Sequence, residues 1–218
     1  MSFTTGHFVS ETFEHDGGRQ VSVFVPPNPV DAVVFAADGG WHVSRLSGAL
    51  DAAAARSTLV VGVHGMPDDD GRLKEYVPGF DESRFGAHER FFVEDVRRWV
   101  HSRFGVAMPA ERTAVWGASL GGEFALGMGL RHPDTYGVVF SASPGGGYKP
   151  PAVMPASLPG VYLVAGTQEP FFLDNAVRWA DALRSAGADV VMAERDGSHG
   201  ADFWGEEFPL MVAWAFEG

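Results

Sequence analysis

The sequence predicts an α/β fold: a mostly parallel central sheet with helices on both faces and an N-terminal antiparallel hairpin. Short β-branched apolar runs such as "DAVVFAAD", "TLVVGVHG" and "TAVWGAS" have the character of strands buried on both faces. Segments with helical spacing alternate with them, as in βα units. The first 27 residues differ. "GHFVSETFEH" and "RQVSVFVPP" partly alternate apolar with polar, and Asp16-Gly17-Gly18 between them supplies a turn.

The elements follow in order. Residues 31–38 form the first buried strand, ended by Asp38-Gly39-Gly40. "SRLSGALDAAAARS" is a helix and residues 58–65 the second buried strand. Residues 66–82 have the composition of a long loop. The segment "SRFGAHERFFVEDVRRWVHSRFG" carries Phe91, Phe92, Val96, Trp99, Val100 and Phe104 at helical spacing, with Gly105 as its stop. "TAVWGAS" is the third buried strand, followed by the helix "LGGEFALGMGLRHP". "YGVVFSAS" and "VYLVAGT" flank a Pro/Gly-rich loop. "FFLDNAVRWADALRSAG" is a helix closed by Gly187, "DVVMAER" the last strand, and "EEFPLMVAWAF" the last helix. The length of 218 residues suits one domain, 1–218.

The net charge of −12 argues against nucleic acid or an anionic membrane as the main partner. The chain has no cysteine, which removes disulfides, thiolate metal sites and thiol nucleophiles together. The N-terminus has no basic stretch followed by an apolar one, and no window approaches 18 consecutive apolar residues, so the expectation is a cytoplasmic protein without a membrane span. "PDDDGR" lacks the alternating ligands of a calcium loop. Gly145-Gly146-Gly147 lacks the dinucleotide pattern. No metal and no cofactor is expected.

In parallel sheets, sites lie at the C-terminal ends of the strands, and three post-strand positions carry chemistry. Ser119 stands in "GASLG" between a buried strand and a helix. Glycines there allow a strained turn that lifts a serine oxygen out of the sheet as a nucleophile. With 28 glycines in the chain, a capped glycine turn is the competing reading of the five letters alone. His199, in "DGSHGADFW", follows the last strand and suits a general base at neutral pH. His64 also follows a strand, but it precedes the serine and reads as a pocket wall. The acid that would orient His199 follows "VYLVAGT". Glu169 lies on the loop itself, whereas Asp174 falls in the first helical turn, where a carboxylate favours the dipole. Asp196 is too close to His199 along the chain. Oxyanion donors would be the amide of Leu120 and the amide of Gly40, with Gly39 and Trp41 as alternatives to Gly40.

These residues occur within "GASLGGEFALGMGLRHPDTYGVVFSASPG", "AGTQEPFFLDNAVRWADALRSAGADV" and "DGSHGADFW". The three stretches resemble the esterase family of α/β-hydrolases that includes enterochelin esterases, feruloyl esterases, S-formylglutathione hydrolase and the mycolyltransferases. "DGGWHV" and "EYVPGF" match more loosely. The resemblance implies Ser119 as nucleophile, Glu169 as acid in a Gly-Thr-x-Asp/Glu segment, and His199 as base. Family members often carry Asp after that histidine, where Gly200 stands here.

The expected function is therefore serine carboxylesterase action on a small-molecule ester, through an acyl-enzyme on Ser119. The alternatives are an acyltransferase with the same triad, or a binding protein on a hydrolase scaffold. Trp41, His42, Arg72 and Glu75 are the candidate substrate-binding residues. Tyr76 belongs to the same segment, Phe171 and Phe172 read as core, and Trp204 as packing behind His199.

Overall fold

The strands are β1 (His7–Phe13), β2 (Arg19–Val25), β3 (Ala32–Ala36), β4 (Thr58–Val63), β5 (Thr113–Ala118), β6 (Val138–Ala142), β7 (Gly160–Gly166) and β8 (Val190–Arg195). They form one sheet in the order β1-β2-β4-β3-β5-β6-β7-β8. The computed structural model describes residues 6–53 and 55–217. Residues 1–5, where the leader and hairpin expectations begin, lie outside the described residues, as do 54 and 218.

The hairpin forms as expected. β1 and β2 pair antiparallel with Phe13 opposite Arg19, and β2 continues antiparallel onto β4. Asp16, Gly17 and Gly18 all take positive φ, a conformation that Asp and Gly tolerate best. The remaining pairings are parallel. Strands β3 to β6 are buried at every position, which is why their sequences do not alternate.

One face of the sheet is covered by α1 (Gly39–Ala52) and α7 (Ala201–Phe216), through Val43, Leu46, Leu50, Phe208, Met211 and Phe216. The other is covered by α3 (Glu82–Arg90), α4 (Arg97–Phe104), α5 (Leu120–Arg131) and α6 (Pro170–Ser185), through Phe85, Val100, Phe124 and Trp179.

Four boundaries differ from the expectation, each for a physical reason. Helix α1 starts at Gly39 rather than at Ser44. Gly39 passes so close to Gly62 on β4 that a Cβ on Gly39 would run into the Gly62 backbone, so the glycines that read as a turn are a helix start. Residues 66–82 are not all loop, because α2 spans Asp69–Tyr76. Its aspartates nucleate it: Asp68 caps the helix by accepting from the Gly71 amide at 2.8 Å, Asp69 and Asp70 favour the dipole, and Lys74 pairs with Asp70. The long helix before Gly105 is α3 and α4 joined through a π-helical turn, Phe91–Val96, and Gly105 ends it at φ 67°. Finally, α7 begins five residues before Glu206 and runs through Pro209.

Candidate active site

Strand β5 ends at Ala118 and α5 begins at Leu120, so Ser119 alone makes the turn, at φ 56° and ψ −122°. A non-glycine residue there stores on the order of 1–3 kcal/mol of strain. The surrounding glycines make the turn possible. A Cβ on Gly117 would run into the Gly121 carbonyl, and one on Gly121 would sit 3.3 Å from both Ala37 Cβ and Asp38 Oδ2. The Ser119 amide donates to the Ala142 carbonyl at 3.0 Å. Its side chain makes no capping hydrogen bond, so Oγ stays uncommitted at the head of α5.

The ends of β7 and β8 carry the other two residues, at the same end of the sheet. After β6, Ser143 turns at φ 47° and is fully buried. Its hydroxyl donates to Glu169 Oε1 at 2.6 Å and accepts from Trp204 Nε1 at 2.8 Å. Glu169, at the head of α6, also takes the Gly166 amide on Oε1 at 2.7 Å. Its other oxygen, Oε2, receives His199 Nδ1 at 2.6 Å. Phe172 stacks on the imidazole at 3.9 Å between centroids, and Trp204 meets it edge-on at 4.8 Å. The ring is thus fixed by a carboxylate on one nitrogen and by two aromatic faces. Asp174 is exposed on α6 and takes no part.

The third strand end is the turn before α1. Asp38 caps that helix in the left-handed region at φ 53°, yet its side chain makes no capping bond. The carboxylate is instead turned back onto α2. Arg72 holds it with two bonds, Nε to Oδ1 at 3.1 Å and Nη2 to Oδ2 at 2.7 Å. The Tyr76 hydroxyl donates to Oδ1 and accepts from the Asp38 amide, both at 3.2 Å. The first-turn amides of α1, at Gly39 and Gly40, have no partner inside their own helix. The same holds for Leu120 at the head of α5. The two helix starts adjoin, as the closeness of Gly121 to Asp38 records.

Residues 14–215 match the Esterase family over nearly the whole chain. The chain belongs to the Esterase family. That membership makes it a carboxylic ester hydrolase. No curated protein matches the chain. Among solved structures it is similar to a ferulic acid esterase, at 16% identity and TM-score 0.74 over 98% of both chains. The enterochelin esterase of Shigella flexneri is similar at 19% identity and TM-score 0.78, over 95% of this chain and 58% of that one. An S-formylglutathione hydrolase from Staphylococcus aureus aligns at 12% identity and TM-score 0.69 over 99% of both. At these identities the likeness concerns the α/β-hydrolase fold.

The residues expected to bind substrate divide. Trp41 is 58% exposed and lies over the Arg72 guanidinium at 5.1 Å. With Gly40, His64, Met66 and Pro67 it lines a cleft of about 200 Å³. His64 is thus a wall, as expected, and it bonds Ser22 Oγ at 2.9 Å through Nε2. Glu75 is not available to a ligand: it is buried and grips Arg19 with two bonds, at 2.7 and 2.9 Å. Arg72 is committed to Asp38 and Asp69. His42 is a core residue, packed edge-on between Trp116 and Trp204. Phe171 and Phe172 depart from the core reading. Phe171 is 60% exposed and Phe172 touches His199. Sequence reasoning passed over Ser143, whose position directly after a buried strand is its only signal. It also passed over Glu123, buried on α5. Burial raises the Glu123 carboxyl above its usual range while it accepts from the Gly147 and Tyr148 amides, pinning the loop after Ser143.

The burial of His42 has a pH consequence. Desolvation lowers its pKa from 6.5 to about 4, against the pull of Asp38. A histidine held neutral in the fold but not in the unfolded chain stabilises fully above pH 6.5, and that contribution disappears as the pH falls toward 4. The loss is of order 3 kcal/mol. Denaturant melts at pH 7 and pH 4.5 measure it, and His42→Gln should flatten the difference.

Proposed function

We propose that the protein is a serine carboxylesterase working through an acyl-enzyme on Ser119. The observation that carries this reading is the 2.6 Å bond from His199 to a carboxylate, Glu169, at the same end of the sheet as a serine in a strained turn. In this reading Glu169 keeps the Nδ1 proton on His199, and Nε2 takes the Ser119 proton as Oγ attacks the ester carbonyl. The amides of Leu120 and Gly40 stabilise the oxyanion. His199 then protonates the leaving alcohol, and a water activated the same way releases the acid. Trp41 and the cleft beside it receive one side of a small ester, and the exposed ring of Phe171 borders the other.

A short-chain nitrophenyl ester tests the reading. The wild type should turn it over between pH 6 and 9, and a fluorophosphonate probe should label Ser119. No turnover and no labelling across that range would refute it.

A further inference from the structure

The geometry points to Arg72 and Tyr76 as positioning residues that hold the Asp38 carboxylate away from the amide of Gly40, keeping that amide free to stabilise an oxyanion. The inference rests on the esterase reading above and explains an otherwise contradictory choice of residue. Aspartate at a helix start normally turns its carboxylate onto the amides two or three positions on. At the head of α1 that behaviour would fill the oxyanion site with the protein's own carboxylate and set a negative charge where another must develop.

Three features of the structure oppose it. First, Asp38 sits at φ 53° and makes no capping bond, so backbone and side chain both depart from an ordinary cap. Second, all of its carboxylate bonds run to α2: two from the Arg72 fork and one from the Tyr76 hydroxyl. Tyr76 is wholly buried, and burial pushes its phenol well up, so it remains a donor. The guanidinium also neutralises the charge beside Gly121 on α5, 3.3 Å from where a Cβ there would lie. Third, space has been cleared for the clamp at Gly65, where a Cβ would run into Asp38 Oδ1 and lie 2.6 Å from the Tyr76 hydroxyl. The polar segment between β4 and α3 thus takes its helical form in order to bring Arg72 and Tyr76, four residues and about one turn apart, onto one face.

Arg72→Met keeps much of the apolar stem and releases the carboxylate. It should lower kcat by roughly 10- to 100-fold, with KM changed by less than about 3-fold, since one oxyanion donor is worth about that much or more. Tyr76→Phe, which removes only the hydroxyl, should lower kcat in the same sense by a smaller factor. Adding Asp38→Gly to Arg72→Met removes the carboxylate and suits the left-handed turn. The double variant should recover kcat to within about 5-fold of wild type, which no loss of packing alone would produce.

An independent readout comes from the amides. In ¹⁵N-edited spectra the Gly40 proton should move downfield in Arg72→Met, as a carboxylate caps it, and return in the double variant, while the Trp41 amide, already bonded to the Asp38 carbonyl at 2.9 Å, serves as the reference. A double variant no faster than Arg72→Met, or amide shifts unchanged between the three proteins, overturns the inference. The amide shifts are read without substrate, so they decide the clamp even if the wild type fails to hydrolyse or label. Such a failure would count against the esterase reading alone. If Arg72→Met does not fold, the Tyr76→Phe pair, with and without Asp38→Gly, gives the same comparison.

Discussion

Ser119→Ala should reduce ester turnover by about 10⁴-fold or more, leaving only what bound donors supply without a nucleophile. The substitution leaves the fold in place. Ser119 Oγ caps nothing, and its backbone bond to Ala142 does not depend on the side chain. Melting temperature should therefore stay within a few degrees of wild type. Ser119→Gly separates chemistry from strain. It should be equally inactive, yet more stable by roughly 1 kcal/mol, because φ 56° with ψ −122° is ground that glycine occupies without penalty. Steady-state kinetics with the chromogenic ester and thermal melts of the three proteins measure both effects. An alanine variant that keeps more than about 1% of wild-type kcat would remove Ser119 from the reaction. A glycine variant less stable than wild type would mean that the turn is not strained.

Much of this arrangement was legible in the sequence because a parallel sheet is written in an easily read code. Strands buried on both faces show as unbroken apolar runs, so β3 to β7 could be located, and β8, which is only partly buried, by its place in the alternation, together with the positions just after them. That sufficed to bring Ser119, Glu169 and His199 to one end of the sheet. What escaped was decided by contacts between distant segments. Gly39 and Gly40 carry the letters of a turn, and only the approach of Gly62 explains a helix that starts there. The acidic run before Arg72 reads as a solvated loop until its capping by Asp68 and its ion pairs are seen. His42 was expected to meet substrate because it adjoins the oxyanion segment, and Arg72 and Glu75 because the segment before the long helix can wall a pocket. Their polar atoms are instead used internally, by aromatic packing and by buried pairs. Residue type announces that a charge is present, but not whether a partner from another element has already claimed it. Ser143 shows the opposite case, an ordinary serine whose importance comes only from bridging Glu169 and Trp204.

Glu169→Gln should cost about 10³- to 10⁴-fold in kcat, whereas Asp174→Asn should change it by less than about 2-fold. The argument is one of donors and acceptors. The Glu169 side chain receives three donors: the Gly166 amide and Ser143 hydroxyl on Oε1, and His199 Nδ1 on Oε2. A carboxylate can accept all three, but glutamine brings a single carbonyl and two N–H groups. If its oxygen stays with Gly166 and Ser143, its amide nitrogen faces His199. Nδ1 must then accept, and the ring proton moves to Nε2, the atom that has to take the serine proton. If the side chain flips, an N–H faces the buried Gly166 amide, at about 1–3 kcal/mol in stability. The first arrangement spoils the base through its tautomer; the second keeps the tautomer but removes the charge that stabilises the imidazolium, and it also lowers the melting temperature. Asp174 has no such obligations: it is exposed on α6. Kinetics and melts of the two variants side by side distinguish the assignments. A larger kcat loss from Asp174→Asn than from Glu169→Gln would transfer the acid's role to Asp174. It would also leave the Glu169–His199 bond as packing, with Ser143 and Trp204 holding a purely structural carboxylate.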